Sequence, residues 1–377
     1  MRDVRYAFRS LRKSPGFTAA AVLTLALGIG ANTAMFSVIE GVVFSPLRYF
    51  QPDRLVMVWE NNPRFRRVWV SYPNFLDWQR TARSFEQMAA FSEHGVDLTA
   101  SGAPEHIEGK EISLGFFSIL GARLAVGREF SPEEDRPGGA PVAIISDRLW
   151  KNRVDGSPGA LGKSVTLDGV DYSIVGVTAP GFRLESDADV YRPLGQGDPM
   201  ILNDRASHDG IFCVARLAPG VAVTQGQAEM STIQNGLDQR YPEANRDLGI
   251  YIEPLKQVIV GNAGGTLLLL LGAVGLVLMI ACANVASLLL ARSAGRAREF
   301  AIRSALGASR ARLVKQLLTE SVLLSLAGAG VGLLMAKVGV RSVLAVVPDI
   351  LPRSENIGVN APVLLFTSLC ENGVEPN

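Results

Sequence analysis

The chain has three cysteines, three histidines and a formal net charge of +1 over 377 residues. Each scarcity excludes something. Cys213, Cys282 and Cys370 are too few and too scattered for a disulfide framework. His94, His106 and His208 have no second histidine or cysteine nearby at zinc-ligand spacing. Asp187, Asp189 and Asp204 lack the spacing of a calcium loop. No Gly-x-Ser-x-Gly elbow occurs, and no other set of residues reads as catalytic. The sequence therefore predicts no catalytic residue, no metal and no cofactor. A net charge near zero argues against a nucleic-acid partner.

A nucleotide loop is nearly present and fails on inspection. GSPGALGKS, residues 156–164, ends in Gly-Lys-Ser. A phosphate loop needs its first glycine five residues before the last one, where this chain has Ser157. It also needs a strand before and a helix after. Here ISDRLWKNR before it reads as a helix capped by Ser146, and SVTLDGVDYSIVGV after it reads as a hairpin turning at Asp168-Gly169. The stretch is a glycine-rich turn, so the chain is not expected to be an enzyme, and any ATPase activity belongs to a partner chain.

What the sequence does have is long apolar runs. A membrane crossing takes about 20 apolar residues. Residues 17–43 give a first span, 264–291 a second and 316–340 a third. A cleaved signal peptide is the alternative for the first, but its apolar run exceeds the usual core of about 7–15 residues. Glu320 and Lys337 are expected near the ends of the third span, reaching the interface. Arg2, Arg5, Arg9, Arg12 and Lys13 precede the first span, with Asp3 the one acid. Arg292, Arg296, Arg298, Arg303, Arg310, Arg312 and Lys315 follow the second, with Glu299 the one acid. Basic flanks lie inside. Residues 1–16 and 292–315 are thus cytoplasmic, and 46–262 form an extracytoplasmic domain. Segment 1–16 reads as an amphipathic helix along the inner membrane surface, or as a flexible basic start.

The external region alternates strand and helix signals. RLVMVWE reads as a strand, YPNFLDWQR as a helix with Pro73 in its first turn, and SFEQMAAFS as a second short helix. VDLTASGAPEHIEGKEIS reads as paired strands, PVAII as a strand and SDRLWKN as a helix. IFCVARL, a helix from Val223 to Arg240 and LGIYIEPL make a strand–helix–strand unit. The expected fold is an α-helical membrane protein with a large extracytoplasmic mixed α+β domain inserted between transmembrane helices 1 and 2. Within the spans, Gly30 and Ala34 follow Ala26 at four-residue spacing, as Gly332 follows Gly328. Such small residues favour helix packing, or reflect ordinary glycine content.

ARSAGRAREFAIRSALGASRARLVKQLLTE, residues 291–320, is a basic-and-apolar segment between two spans. It suits docking to a cytoplasmic protein, or merely charge retained inside. Here the chain resembles a family. REFAIRSALGAS, with Asn284, Gln316 and Glu320, is similar to the cytoplasmic signature of MacB/FtsX-type ABC transporter permeases. LALGIGANTAMFSVI, SYPNFLDWQ and GKSVTLDGVDYSIVGV also resemble that family, in particular its duplicated branch, the orphan permeases of Acidobacteria. The resemblance covers nearly the whole chain. It implies a MacB-like periplasmic core domain, a separate ABC ATPase subunit, and mechanotransmission, in which ATP-driven closure of the ATPases works the external domain. It implies ATPase coupling through Arg298, Glu299, Ala301, Arg303 and Gly307. It also implies the cytoplasmic (inner) membrane, a homodimer or pairing with a second permease half, membrane lipid as surroundings, and as further partners a periplasmic adaptor and an outer-membrane channel. The substrate of such efflux or export is not legible.

The family pattern predicts an external loop at 341–360 and then a fourth span. Residues 361–377 begin one with APVLLFTSL and break off in CENGVEPN. The expectation is that this is the N-terminal part only of such a permease. The alternative function is a truncated, non-transporting fragment, or a membrane sensor or scaffold with an external ligand-binding domain.

Overall fold

The computed structural model describes residues 7–9, 11–99, 104–154, 156–184, 186–261, 263–295 and 310–346, with 358 and 363. It divides into two compact units, one of residues 1–45 and 260–377, the other of residues 46–259.

In the first unit, α1 runs from Pro15 to Ile39 and continues as a π-helical turn over Glu40–Phe44. Pro15 starts it, where a missing N–H costs nothing. Among the described residues the other long helices of this unit are α9 (Ala263–Gly295) and α10 (Arg310–Val346); α2 to α8 belong to the other unit. Among the described residues three stretches are long and apolar enough to cross a membrane: Pro15–Phe44, Gly264–Ala291 and Leu318–Ser342. Helix α1 packs against both of the others. Leu25 and Ile29 meet Val285 of α9 and Leu324 of α10 in one apolar cluster, and Ile39 and Val42 meet Leu267 and Val340 in another.

The second unit is built on one ten-stranded sheet. In chain order its elements are β1 (Leu55–Asn61), α2 (Tyr72–Thr81), β2 (Phe85–Thr99), β3 (Glu105–Ile112), α3 (Phe116–Leu120), β4 (Leu124–Gly127), β5 (Val142–Ile145), α4 (Asp147–Arg153), β6 (Ser164–Leu167) and β7 (Val170–Thr178). There follow β8 (Val190–Pro193), α5 (Pro199–Leu202), β9 (Ile211–Leu217), α6 (Val223–Arg240), α7 (Pro242–Asn245), β10 (Gly249–Pro254) and α8 (Leu255–Val260).

Strands β10, β1, β9 and β2 lie side by side in that order. With α2 joining β1 to β2 and α6 joining β9 to β10, they form a ferredoxin-like double βαβ. Everything from β3 to α5 is inserted between its second and third strands. The central strand β1 is buried on both faces. Leu55, Met57 and Trp59 enter one apolar cluster, and Val56 and Val58 enter the other. The outer edge of β10 is closed by Gln227 of α6. Its amide accepts from Ile252 N and donates to Ile250 O, each at 2.8 Å, which blocks strand addition there.

SFEQMAAFS is strand, where the sequence predicts a short helix. It opens the 15-residue β2. A bulge between Phe85 and Gln87 breaks the register against β9. Phe85, Met88 and Ala90 therefore share one face, and Ala89 and Phe91 the other. The bulge hides the period of two, and pairing with β9 and β3 overrides the helix preference of Glu, Gln, Met and Ala.

Candidate functional site

Two places combine close packing with unusual polarity. The first lies in the helical unit. A Cβ built on Gly30 would stand 2.9 Å from Gly332 O. One on Gly332 would stand 2.9 Å from Ala26 O and 3.1 Å from Gly30 N. One on Gly328 would stand 2.7 Å from Leu25 Cβ. The backbones of α1 and α10 thus touch where both are glycine. Ala34 lies further along, against the cluster of Ile39, Val42, Leu267 and Val340.

The packed face of α10 is a stripe at every fourth residue: Glu320, Leu324, Gly328, Gly332, Ala336 and Val340. This corrects the expectation for Glu320. It is 2% exposed within the bundle, because it shares its helix face with Leu324, one turn on. Lys337 is on the exposed side of the helix. A second face of α1 meets α9. A Cβ on Gly28 would lie 2.9 Å from Leu278 Cδ1. The Asn32 amide, 3% exposed, donates to Val274 O of α9 and to Gly28 O, each at 3.0 Å. Sequence inspection missed Gly28 and Asn32. The signal was Asn32, an amide two positions from Gly30 in a mainly apolar run.

Arg298, Glu299, Ala301, Arg303 and Gly307, with the rest of residues 296–309, lie outside the described residues. So do residues 1–6 and 10 of segment 1–16 and most of 341–377, including Cys370.

The second place is a buried polar knot in the external unit. Glu60, at the end of β1, is fully buried. His208 pairs with one of its oxygens, and Asn74 of α2 donates to the other at 2.6 Å. Asn74 also donates to Asn245 Oδ1 at 2.9 Å. Arg205 bonds Asn74 Oδ1, reaches Asp77 at 2.8 Å and lies 3.9 Å from the centre of the Tyr241 ring. The hydrogen bond to Glu60, then its charge, hold the His208 imidazolium above its ordinary pKa, against the opposing effect of burial. The knot ties the loop before β9 to α2, β1 and α7. Its part in the fold is structural: each carboxylate oxygen of Glu60 has a donor. The other two histidines stand apart. His106 on β3 meets Asp97 at 2.9 Å, and His94 is exposed on β2.

The Gly-Lys-Ser turn sits at the start of β6. Its backbone N–H groups are engaged within the chain, Gly162 N to Ile174 O at 2.8 Å and Lys163 N to Ala160 O at 3.1 Å. A phosphate cradle needs those groups free. Asp168 and Gly169, both with positive φ, make the tight turn between β6 and β7. Ser146 accepts from Leu149 N at 3.0 Å and so caps α4. Cys213 is buried in β9, and burial pushes its thiol pKa far up.

The MacB-like periplasmic core domain family matches residues 18–233, and the FtsX-like permease C-terminal family matches residues 271–369. The chain belongs to the MacB/FtsX-type permeases. Its external unit is the family's extracytoplasmic domain, and its apolar helices are the permease's membrane helices. The chain is 26% identical over 350 residues to a macrolide export ATP-binding/permease protein, MacB, of Rhodospirillum rubrum, covering 88% of this chain and 52% of that one. It is 26% identical over 265 residues to YknZ, an uncharacterized ABC transporter permease of Bacillus subtilis, covering 68% of this chain and 60% of that one. The crystal structure of the periplasmic region of MacB from Actinobacillus actinomycetemcomitans aligns with a TM-score of 0.41 at 13% identity, covering 59% of this chain and 95% of that one. The chain spans about half the length of the Rhodospirillum relative and a third of that of a MacB from Burkholderia thailandensis.

Proposed function

We propose that this chain is the permease part of an ABC transporter, in which ATP hydrolysis on a separate ATPase chain moves the external unit and so drives export of a substrate. One observation carries the reading. The chain enters the external unit just before β1 and leaves it just after β10, and these strands pair with Val56 opposite Pro254. Both links to the apolar helices therefore end on adjacent strands at one end of the sheet. A relative shift of α1 and α9 acts there directly. Both links are set in the same apolar cluster, Leu47 on one side and Leu255 on the other.

In this reading the chain sits in the cytoplasmic membrane, surrounded by lipid, with its N-terminus and residues 292–315 inside. Arg298, Glu299, Ala301, Arg303 and Gly307 dock the ATPase. A second copy, or a second permease half, completes the pair, and a periplasmic adaptor and an outer-membrane channel are candidate further partners. The glycine contact of α1 with α10 keeps those helices together as they move.

The test is a pull-down of the full chain from its native membranes, in mild detergent with an ATP analogue, scored for a co-purifying ATPase by mass spectrometry. The expected result is an ATPase whose recovery falls in the Arg298→Ala/Glu299→Ala double variant while membrane insertion is unchanged. Undiminished recovery refutes the coupling assignment, and no ATPase with the folded wild-type chain refutes the transporter reading.

A further inference from the structure

Arg216 is a charged residue near the end of the interior strand β9. It lies on β9 opposite Leu55 and is 2% exposed. On the same face of β9, Phe212 and Val214 belong to the cluster with Leu55, Phe116 and Ile119. Among the described residues no carboxylate stands within ion-pair distance of it. Its guanidinium is spent on backbone instead. It donates to Phe50 O at 2.7 Å, to Gln51 O at 3.3 Å and to Ile119 O of α3, and lies 5.1 Å from the centre of the Phe50 ring. Burial, then the nearby Arg54, push its pKa down.

The carbonyls of Phe50 and Gln51 belong to the strap that brings the chain from α1 to β1. That strap is seated elsewhere too. Leu47 is buried, Tyr49 Oη donates to Arg183 O at 2.8 Å, and Phe50 N donates to Leu120 O at 3.0 Å. Gln51 is held at φ 45°, a left-handed conformation that a non-glycine residue adopts only under constraint.

A buried lone cation is a costly way to stabilise a sheet, since an apolar side chain of similar volume often does as well. What a guanidinium adds is a planar fork that grips several acceptors at once. Here the fork holds two consecutive carbonyls of the strap and one of α3, while its own Cα is fixed in β9. We propose that Arg216 is a mechanical latch: a positioning residue that makes the strap, β9 and α3 move together. Displacement of the first span is then delivered to β9 and α3 as well as along the chain into β1. This rests on the mechanotransmission reading for its purpose, but the latch itself is testable without any ATPase.

The experiment is single-molecule force spectroscopy on the full chain in lipid nanodiscs. One handle is attached at Arg48 on the strap and one at Gly236 on α6. Wild type yields in one step, strap and sheet together. Arg216→Met and Arg216→Lys show a separate early step of on the order of 10–20 Å as the half-dozen strap residues peel off, with the sheet opening later at its wild-type force. A merely structural arginine would instead lower the force of sheet opening and add no strap step, and that result overturns the proposal. So does an unchanged trace. Loss of the buried Trp59 and Trp78 fluorescence signature in both variants makes Arg216 a requirement of the fold itself, and also overturns it. The ATPase pull-down is a separate measurement, so its failure leaves the latch result standing and removes only its purpose.

Discussion

Alanine at Gly332 places a Cβ 2.9 Å from Ala26 O and 3.1 Å from Gly30 N. Both neighbours are backbone, so neither can rotate away. Relief to an ordinary contact needs the two helices to part by roughly half an ångström at that point, which loosens dispersion contacts along the seam. Overpacking of this kind costs about 1–3 kcal/mol. Alanine also favours helix over glycine by up to about 1 kcal/mol. The expected net loss is thus up to about 2 kcal/mol. Gly330 is the matched control, two residues away on the same helix with nothing within 4 Å of its built Cβ. Gly330→Ala keeps the helix gain without the clash, so the two variants should differ by the overpacking cost alone, about 1–3 kcal/mol. The four tryptophans, Trp59, Trp69, Trp78 and Trp150, all lie in the external unit, so intrinsic fluorescence does not report on the helices. The assay is an SDS titration of the full chain in mild detergent. It is read by energy transfer between labels at positions 27 and 334, which are 58% and 66% exposed. Equal midpoints for Gly332→Ala and Gly330→Ala would refute the seam.

The Glu60–His208 pair makes the external unit pH-dependent. His208 has a raised pKa when folded, so its contribution is fully present below the ordinary imidazole value near 6.5 and is lost as pH rises through the raised one. Melting of the full chain, followed by tryptophan fluorescence, should fall across that window, and His208→Gln should flatten the fall. An unchanged slope in the variant assigns the dependence elsewhere. Asn32→Leu removes the bond to Val274 O and should weaken the packing of α1 on α9, but not on α10, by about 1 kcal/mol. Cross-linking between each helix pair separates these. Ser146→Ala removes the cap of α4 and a 3.2 Å bond to Asp189, with an expected loss of about 1 kcal/mol in the external unit's unfolding.

The sequence by itself determined the elements whose cause is local. Apolar runs of membrane length mark three helices, because hydrocarbon accepts little else. Asp168-Gly169 marks its hairpin, since a two-residue turn of that type needs positive φ at both positions. Ser146 marks the start of α4, and the helix near Val223–Arg240 is legible, because caps and periods act locally. Only the tertiary structure decided the rest. Whether FEQMAAF is helix or strand depended on β9, which is distant in the chain, and on a bulge that no local pattern shows. That Gly30 meets Gly332 while Gly330 meets nothing follows from the rotation of α10 against α1, and four-residue spacing alone cannot fix that rotation. Arg216 reads in sequence as a charge in a strand, IFCVARL. Its meaning comes from the carbonyls of Phe50 and Gln51, 165 residues or more away in the chain. Long-range contact assigns a buried polar group its partners, and those partners decide whether it is a flaw or a fastening.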